Sequence, residues 1–103
     1  MSEANWHDLG PVEGFENEQL RERLVAGVRL CVGRSRGHWF AIDDTCPHAG
    51  GSLAAGMLDE DLVICPVHAY AFEASSGRCV DEPACSVSSY PTRLEGGILQ
   101  VQI

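Results

Sequence analysis

Two short segments that combine cysteine with histidine are the part of the sequence best suited to chemistry. Cys46 and His48 form a Cys-x-His pair, and Cys65 and His68 form a Cys-x-x-His pair sixteen residues further along. Both pairs lie in turns rich in glycine and proline, which leave backbone N–H groups able to point at sulfur and stabilise its negative charge. Brought together as two loop tips, the pairs supply four metal ligands.

Two kinds of metal centre use two thiolates and two imidazoles. Zinc accepts both ligand types, but zinc fingers usually place two cysteines before two histidines, with wider spacing between the histidines. The order Cys-His then Cys-His suits a dinuclear cluster in which the thiolates bind one iron and the imidazoles bind the other. The pattern therefore favours one [2Fe–2S] cluster, with a zinc site or a vacant site as the alternatives.

These two segments resemble the ligand motif of the Rieske iron–sulfur family. Residues 46–50 and 65–68 match the two ligand boxes at the expected separation, and the flanks also match, with Trp39–Asp43 before the first box and Phe72 and Gly77 after the second. The resemblance extends from about Trp6 to the C-terminus.

The resemblance implies both a fold and a role for each ligand. The implied fold is all-β and antiparallel, with a β-sandwich or barrel base and a small cluster-binding subdomain at about residues 44–72. Cys46 and Cys65 would hold the inner iron, and His48 and His68 would hold the outer iron near the surface. No catalytic residue is implied.

Four further positions indicate a branch within the family. Gly51 and Val67 stand where respiratory Rieske proteins carry a pair of disulfide-forming cysteines, so that clamp is absent. Tyr70 and Phe72 stand where those proteins place a serine and a tyrosine hydroxyl near the cluster. The chain therefore looks like the ferredoxin branch, which includes dioxygenase ferredoxins and the small subunits of assimilatory nitrite reductases.

This branch implies an electron-transfer protein rather than an enzyme. The leading hypothesis is a one-electron carrier between a flavin-containing reductase and a terminal oxygenase. The first alternative is the small Rieske subunit of an NAD(P)H nitrite reductase, and the second is a zinc-stabilised interaction module. The chain is too short for the additional mononuclear iron domain of a Rieske oxygenase.

Length and charge limit the remaining possibilities. A chain of 103 residues is the size of one domain, taken here as residues 1–103. The net charge of −8 argues against nucleic acid or an anionic membrane surface as a partner and favours a basic docking face. Residues 1–6 do not form a secretion signal, and no apolar run is long enough to span a membrane. We expect a cytoplasmic monomer.

Short segments between turn signals predict an antiparallel β fold. Residues 17–25 mix good helix formers with a weak apolar stripe, and we predict a partly exposed strand leading into a turn at Ala26 and Gly27. The other predicted strands are Val28–Gly33, His38–Ile42, Leu62–Cys65, Tyr70–Glu73, Val87–Leu94 and Ile98–Ile103.

The three cysteines outside the motif have structural interpretations. Cys31 alternates with apolar neighbours and is predicted to be a packed core residue. Cys79 and Cys85 are six residues apart, so a disulfide between them is geometrically possible, but free thiols are expected in a reducing compartment. The resemblance also implies that Asp81–Cys85 forms a third loop beside the cluster.

The remaining polar candidates are predicted to lie at the surface. His7 and His38 are interpreted as surface residues. The acidic runs Asp43–Asp44 and Asp59–Asp61 are interpreted as solvated turns, with a docking role as the alternative because they lie near the ligand boxes in sequence.

Overall fold

The computed structural model describes residues 5–15, 20–47, 50–67 and 69–103. Ten strands and three 3₁₀ helices make up the secondary structure of these residues. The strands are β1 Trp6–Pro11, β2 Leu20–Val25, β3 Val28–Ser35, β4 His38–Asp43, β5 Met57–Asp59, β6 Leu62–Ile64, β7 Ala71–Glu73, β8 Ser89–Tyr90, β9 Thr92–Glu95 and β10 Ile98–Gln102. The 3₁₀ helices are Val12–Gly14, Leu53–Ala55 and Pro83–Cys85.

The strands form three antiparallel sheets. The base sheet has the order β1-β10-β9, the middle sheet β2-β3-β4-β8, and the small sheet β5-β6-β7. Within the described ranges these sheets do not close into a barrel. Residues of the base sheet and of the middle sheet share one core, as in the sandwich form of the predicted base. None of the described helices is long and apolar enough to cross a membrane.

The middle sheet is buried on both faces, which explains the unbroken apolar runs in β3 and β4. Side chains alternate across a strand. Leu30 and Val32 therefore enter one core, while Cys31 between them enters the other. We call the first the base core and the second the loop-side core, because it also contains Cys46 and Cys65. The base core also contains Leu9, Phe15, Ala41, Leu99 and Val101.

Most of the predicted strands are confirmed. The β3–β4 hairpin, β6, β7 and β10 lie where the sequence predicts them, and Cys31 is buried as expected. The segment before the Ala26–Gly27 turn is strand β2 from Leu20 onward. The rest of that prediction, residues 17–19, lies outside the described residues.

One predicted strand is wrong, and two strands were missed. Val87–Leu94 is not a single strand, because β8 pairs with β4 and β9 pairs with β10. Pro91 lies between them, and proline has no N–H group with which to continue a ladder. The sequence analysis did not predict β1 or the three-residue β5.

Candidate functional site

The first ligand loop, residues 46–51, follows β4 and is closed by two backbone hydrogen bonds. The Cys46 N–H donates to the Gly51 carbonyl oxygen at 2.8 Å, and the Gly50 N–H donates to the Cys46 carbonyl oxygen at 2.6 Å. Gly50 has a left-handed φ of 74°, which glycine adopts without a Cβ penalty. Thr45 and Ser52 pair as an antiparallel bridge just outside the loop, so both of its ends are held together.

The second ligand loop, residues 65–70, follows β6 and repeats this arrangement. The Cys65 N–H donates to the Tyr70 carbonyl oxygen at 2.8 Å, and the Ala69 N–H donates to the Cys65 carbonyl oxygen at 3.0 Å. Ala69 occupies the position of Gly50 and is also left-handed, with a φ of 59°. In both loops a cysteine therefore begins a six-residue turn whose fifth residue is left-handed.

The two cysteines of the predicted ligand set are brought into one core. Cys46 is 0% exposed and Cys65 is 1% exposed, and both are thiols rather than disulfide sulfurs. They pack in the loop-side core with apolar residues that include Leu53, Val63 and Phe72. Two buried thiols at the mouths of matching loops suit metal binding better than surface reactivity, because a reactive thiol needs solvent access.

His48 and His68 lie outside the described residues. In sequence, each falls between a cysteine and the residue that closes its loop. Their ligand role remains a prediction.

The two ligand loops touch each other at Gly51 and Val67. A β-carbon on residue 51 would lie 2.8 Å from Cγ2 of Val67, well inside the distance at which non-bonded carbons pack. The absence of a side chain at Gly51 therefore permits the close approach. These are the two positions at which the sequence analysis noted the missing disulfide clamp, and here the loops meet through van der Waals contact.

The acidic pair before the first loop is structural, so its interpretation as a solvated turn was wrong. Asp44 is 1% exposed, and its Oδ1 accepts a hydrogen bond from the Ala54 N–H at 2.8 Å. Asp43 accepts hydrogen bonds from the Tyr90 hydroxyl at 2.7 Å and from the Ser88 N–H at 3.1 Å. Burial, followed by the Asp43 carboxylate, raises the pKa of Tyr90 to about 12. Both aspartates fix the chain that leads into Cys46.

The predicted third loop is present and contacts the strand that leaves the second loop. Asp81 Oδ2 accepts a hydrogen bond from the Ala71 N–H at 2.7 Å, and the Val80 N–H donates to the Ala71 carbonyl oxygen at 2.9 Å. Burial, followed by nearby groups of the third loop, raises the pKa of the Tyr70 hydroxyl. The third loop thus lies against the second ligand loop. Sequence analysis missed the role of Asp81, because an exposed acid next to another acid has no distinctive local pattern.

The other acidic run lies at the opposite end of the small sheet from the cysteines. Asp59 pairs with Leu62, whereas Met57 pairs with Ile64, the neighbour of Cys65. The Glu60 carboxylate forms an ion pair with Arg36 at 2.9 Å. A cavity of about 190 Å³ opens at this end, with Trp39 among its lining residues. The strand register therefore separates Asp59–Asp61 from Cys65 by the length of the β5–β6 hairpin.

The chain is similar to known proteins over most of its length. The family model described as Rieske [2Fe-2S] domain matches residues 5–91. The anthranilate 1,2-dioxygenase ferredoxin subunit of Burkholderia cepacia is 29% identical and aligns over 97% of this chain and 94% of its own length. The 3-phenylpropionate/cinnamic acid dioxygenase ferredoxin subunit of Shigella flexneri is 35% identical, with coverages of 85% and 83%.

A solved structure with the same fold comes from Mycobacterium tuberculosis. The protein is named as an NADH-dependent nitrite reductase small subunit, and it superposes with a TM-score of 0.91 over 99% of this chain and 97% of its own. At 22% identity this likeness carries the fold alone.

Proposed function

Because the chain belongs to the Rieske [2Fe–2S] domain family, whose members hold one [2Fe–2S] cluster, we propose that it carries single electrons from a flavin-containing reductase to a terminal oxygenase. The proposed ligands are Cys46 and Cys65 for the inner iron and His48 and His68 for the outer iron. The observation that carries this proposal is the pair of matching loops, each beginning at a buried cysteine and each containing a histidine.

The donor set fits such a cluster electrostatically. Two buried thiolates need a compensating positive charge, because desolvation strongly disfavours an ionised thiol. The seven basic residues are all arginines, and none lies between Arg36 and Arg78. An iron cluster supplies the compensating charge and can accept and release one electron. The family assignment also removes the basis for the zinc alternative.

The exposed residues around the loop tips suit electron exchange at the histidine side of the site. Pro47 and Gly50 bracket His48 and are exposed, and Val67 and Ala69 bracket His68 and are also exposed. If His48 and His68 bind the outer iron as proposed, these exposed neighbours favour electron exchange with a docked partner at that iron. Both ligand loops lack carboxylates and basic side chains apart from the histidines.

The surface next to the ligand loops combines apolar residues with acids. Met57 is 63% exposed, Val67 51% and Val80 41%. Across the small sheet, Met57 pairs with Ile64, and Ile64 pairs with Ala71. The Val80 N–H donates a hydrogen bond to the Ala71 carbonyl oxygen. Met57 and Val80 therefore lie at the two ends of one row of residues, at the end of the sheet nearest the cysteines. Asp81 and Glu82 follow Val80 in the third loop. This surface would fit an apolar partner surface with a basic rim.

The docking role first considered for Asp59–Asp61 is therefore reassigned to the third loop in this proposal. Charge reversal distinguishes the two ends of the sheet. We expect Glu82→Lys to slow electron transfer several-fold at low ionic strength, with the difference shrinking as salt is added. Asp59→Lys is the matched control at the far end and should change the rate much less. If Asp59→Lys slowed electron transfer more than Glu82→Lys, docking would lie instead at the Asp59–Asp61 end of the small sheet.

The domain assignment belongs to the same proposal. Residues 1–103 would form one Rieske domain whose cluster-binding subdomain spans about residues 44–72. That span begins where Asp44 anchors the first loop and ends in β7, directly after the second loop. We propose a monomer with no nucleic-acid or membrane partner.

Purification and reconstitution test the carrier function. The purified protein should be red-brown, contain two irons and two labile sulfides per chain, and accept one electron per cluster. Added to NADH, a flavoprotein reductase of a ring-hydroxylating dioxygenase and cytochrome c, it should accelerate cytochrome reduction in proportion to its concentration. A cluster-free Cys46→Ser variant is the control. A loaded protein that the flavoprotein cannot reduce would contradict the proposal.

The nitrite reductase alternative makes a different prediction about assembly. A free carrier isolated from its native cells should migrate as a small monomer. A subunit should instead copurify with a much larger protein that contains flavin or sirohaem. Sedimentation of the native protein, followed by cofactor analysis of the same fractions, distinguishes the two.

A further inference from the structure

The third loop carries a thiol near each of its ends. Cys79 is fully buried in the loop-side core and pairs with Phe72 through an isolated antiparallel bridge. Cys85 is partly exposed at the end of the Pro83–Cys85 helix. Both are thiols in this structure, and neither belongs to the proposed ligand set.

Hydrogen bonds fold the third loop back onto Cys79. The Cys79 N–H donates to Ser86 Oγ at 2.9 Å, and Ser86 Oγ donates to the Pro83 carbonyl oxygen at 2.7 Å. The Glu82 N–H donates to the Cys79 sulfur at 3.4 Å. The segment that contains Cys85 is therefore closed against Cys79 rather than extended away from it.

Bond lengths limit how far apart the two thiol-bearing residues can be. The 2.9 Å hydrogen bond keeps the Cα atoms of Cys79 and Ser86 within about 7 Å of each other, and Cys85 is one Cα step of about 3.8 Å from Ser86. Disulfides join Cα atoms roughly 4.4 to 6.8 Å apart. Even at the longest separation allowed, Cys79 and Cys85 are within about 4 Å of that range, so closure needs the backbone of the Pro83–Cys85 helix to move by no more than that.

We propose that Cys79 and Cys85 are a redox modification site that closes to a disulfide when the protein meets a low-molecular-weight disulfide such as oxidised glutathione. Cys85, the more exposed thiol, attacks one glutathione sulfur as its thiolate, which breaks the S–S bond and releases one glutathione thiolate. The Cys79 thiolate then displaces the second glutathione from the Cys85 sulfur. The two protein thiols lose two electrons and two protons, and glutathione disulfide gains them as two glutathione molecules.

Closure would act on the surface that the third loop shares with the second ligand loop. The disulfide would remove the Cys79 sulfur from the Glu82 N–H and pull on the segment whose Asp81 carboxylate holds the Ala71 N–H. Ala71 begins the strand directly after the second ligand loop. Oxidation at the third loop should therefore alter the backbone beside the proposed docking surface, whichever partner the protein binds.

Peptide mass mapping of the cluster-loaded protein tests this site. The protein is incubated with mixtures of reduced and oxidised glutathione, trapped with N-ethylmaleimide in acid and digested with trypsin, which releases residues 79–93 as one peptide. We expect that peptide to lose two hydrogen masses and take up no maleimide as the oxidised fraction rises. The visible absorption of the [2Fe–2S] cluster should be retained. Cleavage before Asp81 should leave the two halves joined.

Three variants separate this route from other thiol chemistry. Cys79→Ser should stop at a glutathione adduct on Cys85, and Cys85→Ser should take up neither glutathione nor the internal link. Cys31→Ser is the control, because Cys31 lies fully buried in β3, away from the third loop, and has no part in the proposed exchange. The inference is overturned if the unmodified protein accumulates only the Cys85 adduct, or if the link forms only after the visible absorption is lost.

Discussion

The two ligand loops have the same backbone plan but different side chains at the positions that shape them. Each begins at a buried cysteine, makes the same pair of hydrogen bonds and has a left-handed fifth residue. The first loop uses Gly50 there and follows it with Gly51, whereas the second uses Ala69 and contributes the Val67 side chain that rests on Gly51. The first loop is therefore built to be approached closely, and the second loop supplies the side chain that approaches it.

Despite these different side chains, the two loops share one backbone conformation, and that shared conformation needs an explanation. Both loops begin Cys-Pro, but local propensity does not explain the left-handed residue in the second, since alanine disfavours that region by about 1 kcal/mol. The second loop adopts that conformation nevertheless, which stores strain beside Cys65 and His68. A common ligand bound by both loops, as we propose, would account for the repeated geometry.

Removal of either cysteine should have the largest effect. We expect Cys46→Ser and Cys65→Ser to abolish the visible absorption and to lower the thermal midpoint, because cluster binding contributes to folding free energy. Cys31→Ala is the matched control, since Cys31 is fully buried in the same core without being a proposed ligand. Iron and sulfide analysis of all three variants measures the outcome. A Cys65→Ser protein that kept its full iron and sulfide content would show that the two loops do not contribute equivalent ligands.

Replacement of the histidines should have the next largest effect. His48→Ala and His68→Ala should each lose or destabilise the cluster, because no other imidazole in the chain lies within either loop. His48→Cys and His68→Cys are the conservative variants and should retain more iron. A third thiolate adds negative charge, so their potentials should fall toward the value of about −400 mV typical of four-cysteine ferredoxins. Unchanged spectra in both alanine variants would contradict the ligand assignment.

The reduction potential should reflect the side chains that end the second loop. Phe72 is fully buried without a hydroxyl, and Tyr70 stands where a serine would be expected in high-potential relatives. With fewer donors to the cluster sulfurs, we expect a potential near the lower end of the Rieske range, about −150 mV. Tyr70→Ser combined with Phe72→Tyr should raise it. Protein-film voltammetry makes the comparison, and a value above about +100 mV for the unmodified protein would place it in another branch.

Exchange of the left-handed residues should give the smallest effect and compares the two loops directly. Among the residues that the structure describes, no atom lies within 4 Å of the β-carbon position of Gly50, so Gly50→Ala should cost only the backbone term, about 1 kcal/mol. Ala69→Gly removes that strain but increases the entropy of the unfolded chain, so it should be neutral or stabilise by up to about 1 kcal/mol. Chemical denaturation of the loaded proteins measures both. If Ala69→Gly lowered the free energy of unfolding more than Gly50→Ala, this account of the two loops would be contradicted.

The sequence predicted the turns at Cys46 and Cys65 and most of the strands, because those signals are local. The apolar runs in β3 and β4 and the Cys-Pro turns can be interpreted without knowledge of the rest of the chain. The burial of Asp44 could not be predicted, because its partner Ala54 lies beyond the first loop and depends on how that loop closes. The separation of Asp59–Asp61 from Cys65 likewise required the strand register, which places acids that are close in sequence at opposite ends of a sheet.

Pulsed electron paramagnetic resonance of the reduced protein labelled with ¹⁵N-histidine tests the ligand set most directly. We predict strong couplings from two histidine nitrogens, one of which disappears in His48→Cys and the other in His68→Cys. His7→Gln and His38→Gln should retain both couplings, because these residues lie outside the ligand loops. A reduced [2Fe–2S] spectrum that does not change on ¹⁵N-histidine labelling would contradict the assignment of one histidine ligand to each loop.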